Sequence, residues 1–290
     1  MAGVCCEPRR SDHRVPHNET VLSSLAPARR RLVLGCGAAV MIALVAGLVV
    51  ALAHGSGRGA LRAVPQELPG PVLLVPGYGG STSGLSVLAA RLREQGKDVE
   101  IVSLPGNAQG DLAAQARVLG TAARDAIERT GAASVDVVGY SAGGVVARLW
   151  LSQDRESARV RRVISLGSPQ HGTQLASLGA LIAGQCPTAC RQLDPASDLL
   201  AGLNAGSGDE VPDGPVFVSL WTRNDEVVLP PGSAVLAGGI NIEIQSVCPA
   251  SAVSHSQLPS DPLVAAMVAA ELQPSPPVQL AARDCARLSS

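Results

Sequence analysis

Residues 134–151 read SVDVVGYSAGGVVARLWL, and the rest of the chain becomes interpretable from this stretch. SVDVVG is a short run rich in β-branched residues, whereas GGVVARLWL carries its apolar residues at helical spacing. A strand turning straight into a helix, with Gly139-Tyr140-Ser141-Ala142-Gly143 at the turn, has the form of a nucleophile elbow. In such a turn the serine is held in strained backbone geometry at the top of a sheet. Gly139 and Gly143 lack side chains because strand and helix would otherwise collide beside it. The helix N-terminus also directs backbone N–H groups and partial positive charge toward a developing oxyanion.

Outward from this turn the pattern repeats. Upstream, PVLLV at 71–75 precedes a helix at about 84–96, and DVEIVSL at 98–104 precedes a helix at about 110–130. Downstream, the elbow helix at about 143–154 is followed by RRVISLG at 161–167. The alternation lapses over 171–214, an insertion rich in Gly, Ser and Pro, then resumes with PVFVSLW at 215–221 and INIEIQS at 240–246. A last helix spans about 261–272, with Pro262 in its first turn. Apolar strands alternating with amphipathic helices imply an α/β architecture, a mostly parallel central sheet with helices on both faces.

A serine hydroxyl needs a base, and the base needs an acid to hold its tautomer. Asp225 follows the strand at 215–221, and His255 lies in the loop after 240–246. The order Ser141, Asp225, His255, each beyond a separate strand, allows the three to converge at one edge of the sheet. Glu226 is the rival acid and His171 the rival base. Asp261 follows His255 too closely to orient it, and Ser168 and Thr173 are the alternative nucleophiles. Pro76-Gly77-Tyr78-Gly79-Gly80 follows the first strand, so the Tyr78 N–H is positioned to pair with that of Ala142 as an oxyanion hole. Arg148 in the elbow helix reads either as a solvated or sheet-edge arginine or as a substrate contact. The chemistry calls for no metal and no cofactor.

Composition narrows the function classes. The chain has 290 residues, net charge −1, 46% hydrophobic and 16% charged residues, enough to bury a sizeable core. Its five aromatic residues, Trp150, Trp221, Tyr78, Tyr140 and Phe217, cannot form a stacking platform, and no basic face is available for nucleic acid. No protein partner is indicated.

Residues 32–53 (LVLGCGAAVMIALVAGLVVALA) form an uncharged run long enough to span a bilayer. Arg29, Arg30 and Arg31 before it hold the N-terminus in the cytoplasm, so the remainder is exported, with Ala51-Leu52-Ala53 offering a signal-peptidase pattern. Cleavage to a secreted form and retention as a membrane anchor both remain open. The implied organisation is a basic segment 1–31, the transmembrane or signal helix 32–53, a linker 54–70, a catalytic domain 71–272 and a tail 273–290. The tail is flexible unless Cys285 ties it down. Cys186, Cys190, Cys248 and Cys285 fall after the span and suggest disulfides in any of three pairings, with a zinc site the weaker reading.

VLLVPGYGG at 72–80, VVGYSAGGVVAR at 137–148, ISLGSPQHGT at 164–173, SLWTRNDEVV at 219–228 and VSHSQL at 253–258 resemble the bacterial class 2 lipases and esterases of the α/β hydrolase fold. They also resemble small lidless lipases of Bacillus type. The resemblance covers about 71–272 and implies Ser141 as nucleophile, Asp225 as acid, His255 as base, and Tyr78 and Ala142 as oxyanion donors. Two departures stand out: Pro76-Gly77 where many relatives have His-Gly, and Tyr140 where they have His. The implied activity is hydrolysis of carboxylic esters, with lipid-like substrates such as acylglycerols, through an acyl-enzyme. Delivery of the acyl group to an envelope acceptor and noncatalytic binding in the envelope are the other readings. LASLGALIAG at 175–184 is apolar enough for a lid or plain core.

Overall fold

The structure, a computed structural model, describes residues 26, 40–42, 44–45, 64–154, 158–182, 186–205 and 209–289. The chain divides into two compact units, Met1–Arg58 and Gly59–Ser290. In the first, residues 40–42 and 44–45 are helical, and the remainder of the apolar run expected over 32–53 lies outside the described residues. Among the described residues no helix is long and apolar enough to cross a membrane.

The second unit is built on six strands: β1 (Val72–Val75), β2 (Val99–Ile101), β3 (Val135–Tyr140), β4 (Val160–Leu166), β5 (Val216–Trp221) and β6 (Ile240–Glu243). Every neighbouring pair is parallel, in the order β2-β1-β3-β4-β5-β6. Side chains alternate between the two faces of a strand, so each face needs its own cover. Leu73, Val75, Val137, Val163 and Phe217 pack with helices α2 (Leu112–Thr130) and α3 (Ala142–Gln153). Leu74, Val138, Ile164, Val218 and Ile242 pack instead with α1 (Ser83–Glu94) and a late helix, Pro262–Glu271.

Local chemistry sets the helix ends. The Asp111 side chain accepts the Ala114 N–H at 2.7 Å to start α2. Gly131, left-handed at φ 67°, ends it with its N–H on the Ile127 carbonyl at 2.8 Å.

The insertion after β4 holds three short helices, α4 (Gln174–Ile182), α5 (Thr188–Gln192) and α6 (Asp198–Asn204). The strand expected over 240–246 ends earlier, at Glu243, and the chain coils into α7 (Ile244–Val247). Ile244 and Val247 are buried three residues apart, a spacing that a helical turn satisfies and strand alternation does not. Asp261 caps α8 (Pro262–Glu271), accepting the Leu263 and Val264 N–H groups at 2.9 and 3.1 Å.

Of the three possible cysteine pairings, the structure has Cys186–Cys190 and Cys248–Cys285. The second changes the reading of the tail. Cys285 opens the short helix α9 (Cys285–Leu288), and Leu280 and Leu288 are buried against the face covered by α1 and α8. The segment after Gln273 is therefore stapled and packed where a flexible tail was the default expectation. A disulfide contributes about 2–4 kcal/mol.

Strand order also locates the site. From β1 the chain steps outward to β2, then crosses back to β3 on the other side. The crevice beyond the carboxyl ends of β1 and β3 is thus a topological switch point, where open α/β sheets bind ligands. The loop 76–80 and Ser141 emerge there.

Candidate active site

Ser141 sits between β3 and α3 at φ 52°, ψ −126°, a conformation costing a non-glycine residue about 1–3 kcal/mol. Steric demand explains its neighbours. A Cβ on Gly139 would lie 2.5 Å from the Gly144 nitrogen, and one on Gly143 would lie 2.3 Å from the Val75 carbonyl oxygen. The Ser141 N–H is tied to the Leu166 carbonyl at 2.9 Å, which fixes the turn to β4.

His255 bridges the other two residues. Its Nε2 is 3.2 Å from Ser141 Oγ, and its Nδ1 is 2.8 Å from Asp225 Oδ2. His255 is 4% exposed and Asp225 5%. The second Asp225 oxygen accepts the Val227 and Val228 N–H groups at 2.9 and 2.7 Å, so the carboxylate is held on both sides. Such an arrangement can withdraw a proton from the serine and stabilise the imidazolium that results.

The loop after β1 passes directly over the serine. A Cβ on Gly77 would fall 2.8 Å from Ser141 Cβ and 3.4 Å from its Oγ, so only glycine permits this approach. A turn closed by the Gly80 N–H on the Gly77 carbonyl, at 3.0 Å, carries Tyr78 at its tip. Ala142 is the first residue of α3, where a backbone N–H has no acceptor within its own helix. The structure thus brings Ser141, His255, Asp225, Tyr78 and Ala142 to one edge of the sheet.

The rivals have other tasks. Glu226 accepts the backbone N–H of His255 at 3.1 Å rather than touching its ring. The His171 ring is engaged at both nitrogens, Nε2 with Glu210 at 2.6 Å and Nδ1 with the Ser233 carbonyl at 3.2 Å. Thr173 Oγ1 donates to the Val227 carbonyl at 2.6 Å, and Ser168 is buried beneath the elbow. Arg148 is neither solvated nor at a sheet edge. It is buried on α3, donating to Gln170 at 3.2 Å and to the Glu210 carbonyl at 2.9 Å, and burial pushes its guanidinium down to about 10.

Four further residues support the site: Thr222 and Gln245, which the sequence did not single out, and Glu226 and Tyr140, which it singled out for other reasons. Thr222 donates to the Val253 carbonyl at 2.8 Å, and Gln245 donates to Thr222 Oγ1 and to the Ser251 carbonyl, at 2.8 and 3.2 Å. Together they join the loop bearing Asp225 to the loop bearing His255. Glu226 and Tyr140 contact His255 itself. Thr222 and Glu226 had a signal, their closeness to Asp225 in TRNDE, whereas Gln245 had none.

Ser141 opens onto a cleft of about 210 Å³ whose lining is mostly apolar, including Leu175, Ala176, Leu193, Val227 and Val228. Its outer wall belongs to α4 and α5, and Cys190 of the first disulfide is part of it. Leu175 and Leu178 on α4 are exposed at the surface.

Residues 70–183 match the α/β hydrolase fold family. No curated protein matches the sequence. Among solved structures, lipase B of Aspergillus fumigatus is similar at 22% identity and TM-score 0.59, over 76% of this chain and 60% of that one. This chain therefore spans less than two thirds of the fungal lipase. A mature-form lipase of Bacillus licheniformis aligns at 23% identity and TM-score 0.44, over 58% of this chain and 71% of that one. A phospholipase of Legionella pneumophila aligns at 20% identity and TM-score 0.43, over 52% and 37%. Parallel strands covered on both faces, a serine at the turn after the third strand, and the family match over 70–183 lead to one conclusion: the chain carries the α/β hydrolase fold.

Proposed function

We propose that this protein is a serine hydrolase that cleaves carboxylic esters through Ser141, His255 and Asp225. The observation that carries this reading is the pair of contacts made by His255, one ring nitrogen on Ser141 Oγ at 3.2 Å and the other on Asp225 at 2.8 Å. Ser141 Oγ attacks the ester carbonyl while His255 Nε2 takes its proton, and the Asp225 carboxylate stabilises the resulting imidazolium. The tetrahedral oxyanion is met by the N–H groups of Ala142 and Tyr78. As the intermediate collapses, the imidazolium returns the proton to the departing alcohol and leaves an acyl-Ser141. Water, deprotonated by the same His255, then releases the acid.

The apolar cleft beside Ser141 supports an acyl chain as its occupant, and with it lipid-like substrates. The two disulfides support an oxidising compartment, and the uncharged run over 32–53 is the segment that would deliver the hydrolase there.

The test is hydrolysis of p-nitrophenyl esters from acetate to palmitate by the full-length protein in non-ionic detergent, beside Ser141→Ala. Activity that varies with acyl chain length and is lost in Ser141→Ala is the expected result. Equal inactivity of both folded proteins on every ester would overturn the reading. A flat profile out to palmitate would overturn the cleft as the determinant of chain length.

A further inference from the structure

His255 lies on a loop, at the start of a single 3-10 turn, His255–Gln257, whose own hold on the His255 main chain is the Leu258 N–H donated to its carbonyl at 3.2 Å. Two side chains grip that main chain from opposite sides. Glu226 Oε2 accepts the His255 N–H at 3.1 Å, and the Tyr140 hydroxyl donates to the His255 carbonyl at 3.2 Å. Both come from residues adjacent to triad members, Glu226 after Asp225 and Tyr140 before Ser141. The turn 225–226 thus holds the ring of His255 with one carboxylate and its backbone with the next. The Tyr140 ring also lies beside the imidazole, with centroids 5.2 Å apart and planes tilted by 36°.

We propose that Glu226 and Tyr140 are positioning residues for the base, a backbone clamp that holds His255 at the distance and orientation its proton transfers require. The inference rests on the serine hydrolase reading given above. An imidazole serving two partners must keep both nitrogens in line at once, and a displacement of about 1 Å at such a group lowers turnover by up to a hundredfold. Tyr140 is suited to a permanent donor role. Burial, reinforced by the charges of Asp225 and Glu226, pushes its hydroxyl up to about 12, so it keeps its proton throughout the range in which a histidine base works. Glu226 is exposed and can be changed without opening the core.

The experiment measures kcat and KM on p-nitrophenyl butyrate for the full-length protein, Tyr140→Phe, Glu226→Ala, Glu226→Gln and the double variant Tyr140→Phe/Glu226→Ala, with Ser141→Ala as control. The position and exchange of the His255 Nδ1–H proton are followed by NMR. The clamp predicts a fall in kcat of about tenfold in Tyr140→Phe and in Glu226→Ala, and more in the double variant, with KM within twofold. Glu226→Gln keeps an acceptor oxygen and restores most of the turnover lost in Glu226→Ala. The Nδ1–H resonance is protected in the wild type and exchanges faster in the double variant. Unchanged kcat together with an unchanged resonance would overturn the clamp while leaving the triad intact. So would losses in which Glu226→Gln behaves no better than Glu226→Ala. Full turnover in Ser141→Ala would instead overturn the serine hydrolase reading, and the NMR comparison would still decide whether His255 is held by these two side chains.

Discussion

Asp225→Asn is expected to lower kcat for ester hydrolysis by about 10⁴-fold with the fold intact, an effect set by the tautomer of His255. One Asp225 oxygen accepts the Val227 and Val228 N–H groups at 2.9 and 2.7 Å, and the other faces His255 Nδ1 at 2.8 Å. An asparagine in this site must put its carbonyl oxygen under the two amide donors, because its NH₂ group would clash with them. The NH₂ then points at Nδ1 and makes that nitrogen an acceptor. The imidazole proton moves to Nε2, which can no longer accept the proton of Ser141. Glu226 cannot take over, since it is engaged by the His255 backbone N–H. Steady-state kinetics with a thermal melt checks the prediction. A loss smaller than tenfold in a folded variant would mean that Asp225 does not set the tautomer.

The largest stability effects are expected at the opposite edge of the sheet, with opposite signs at two buried carboxylates. Asp136 at the start of β3 pairs through both oxygens with Arg161, at 2.9 and 2.5 Å, and both side chains are essentially fully buried. Arg161 also donates to the carbonyls of Gln66, Leu272 and Gln273, and Arg162 to those of Glu271 and Ser275. The two arginines therefore fasten the chain ahead of β1 and the C-terminal end of α8 to the sheet, where a cation also complements the helix dipole.

Asp136→Ala strands a buried guanidinium and is expected to cost about 3–5 kcal/mol, or roughly 10 °C in Tm. Activity per folded molecule is unaffected, because five residues of strand put roughly 16 Å between Asp136 and Ser141. Glu271 is the counter-case. It is 0% exposed, and burial, opposed by the Val278 amide and the Arg162 charge, pushes its carboxyl from 4.5 up to about 7. With the folded value raised, its contribution to stability is fully present below about pH 4.5 and is lost as pH rises toward 7. Glu271→Gln should match the wild type near pH 4 and exceed it at pH 8, by roughly 3 kcal/mol for a shift of this size. Denaturant melts at the two pH values separate these outcomes. A wild type that is more stable than Glu271→Gln at pH 8 would contradict the account of Glu271.

What could be read in the sequence was whatever depends on short-range pattern. The strands and helices around Ser141 follow from alternation and periodicity, and the glycines beside it follow from a clash that any strand-to-helix turn would meet. The switch point between β1 and β3 is not of this kind, because it depends on the strand order, which parallel strands alone do not fix. The convergence of Ser141, Asp225 and His255 could be expected because each follows a strand.

Features that depend on contacts between distant loops were not legible. Tyr140 is separated from the His255 carbonyl by 115 positions, and Gln245 from Thr222 by 23, and no periodicity links such pairs. A carboxylate beside Asp225, such as Glu226, has two ways to serve a histidine, as an alternative acid on its ring or as an acceptor for its backbone, and sequence does not separate the two. The Cys248–Cys285 bond, like the packing of Leu280 and Leu288, rests on tertiary proximity that composition in the tail does not encode.

Whether Ser141 is a nucleophile activated by His255 is decided by covalent capture. The full-length protein is treated with a p-nitrophenyl alkylphosphonate, and both the released p-nitrophenolate and the intact mass are measured. One equivalent released per chain and one phosphonyl adduct, mapped to the peptide containing Ser141, are expected. Ser141→Ala should acquire no adduct, and His255→Ala should react far more slowly. A folded wild type that acquires no adduct, or one that carries it on Ser168 or Thr173, would contradict the account.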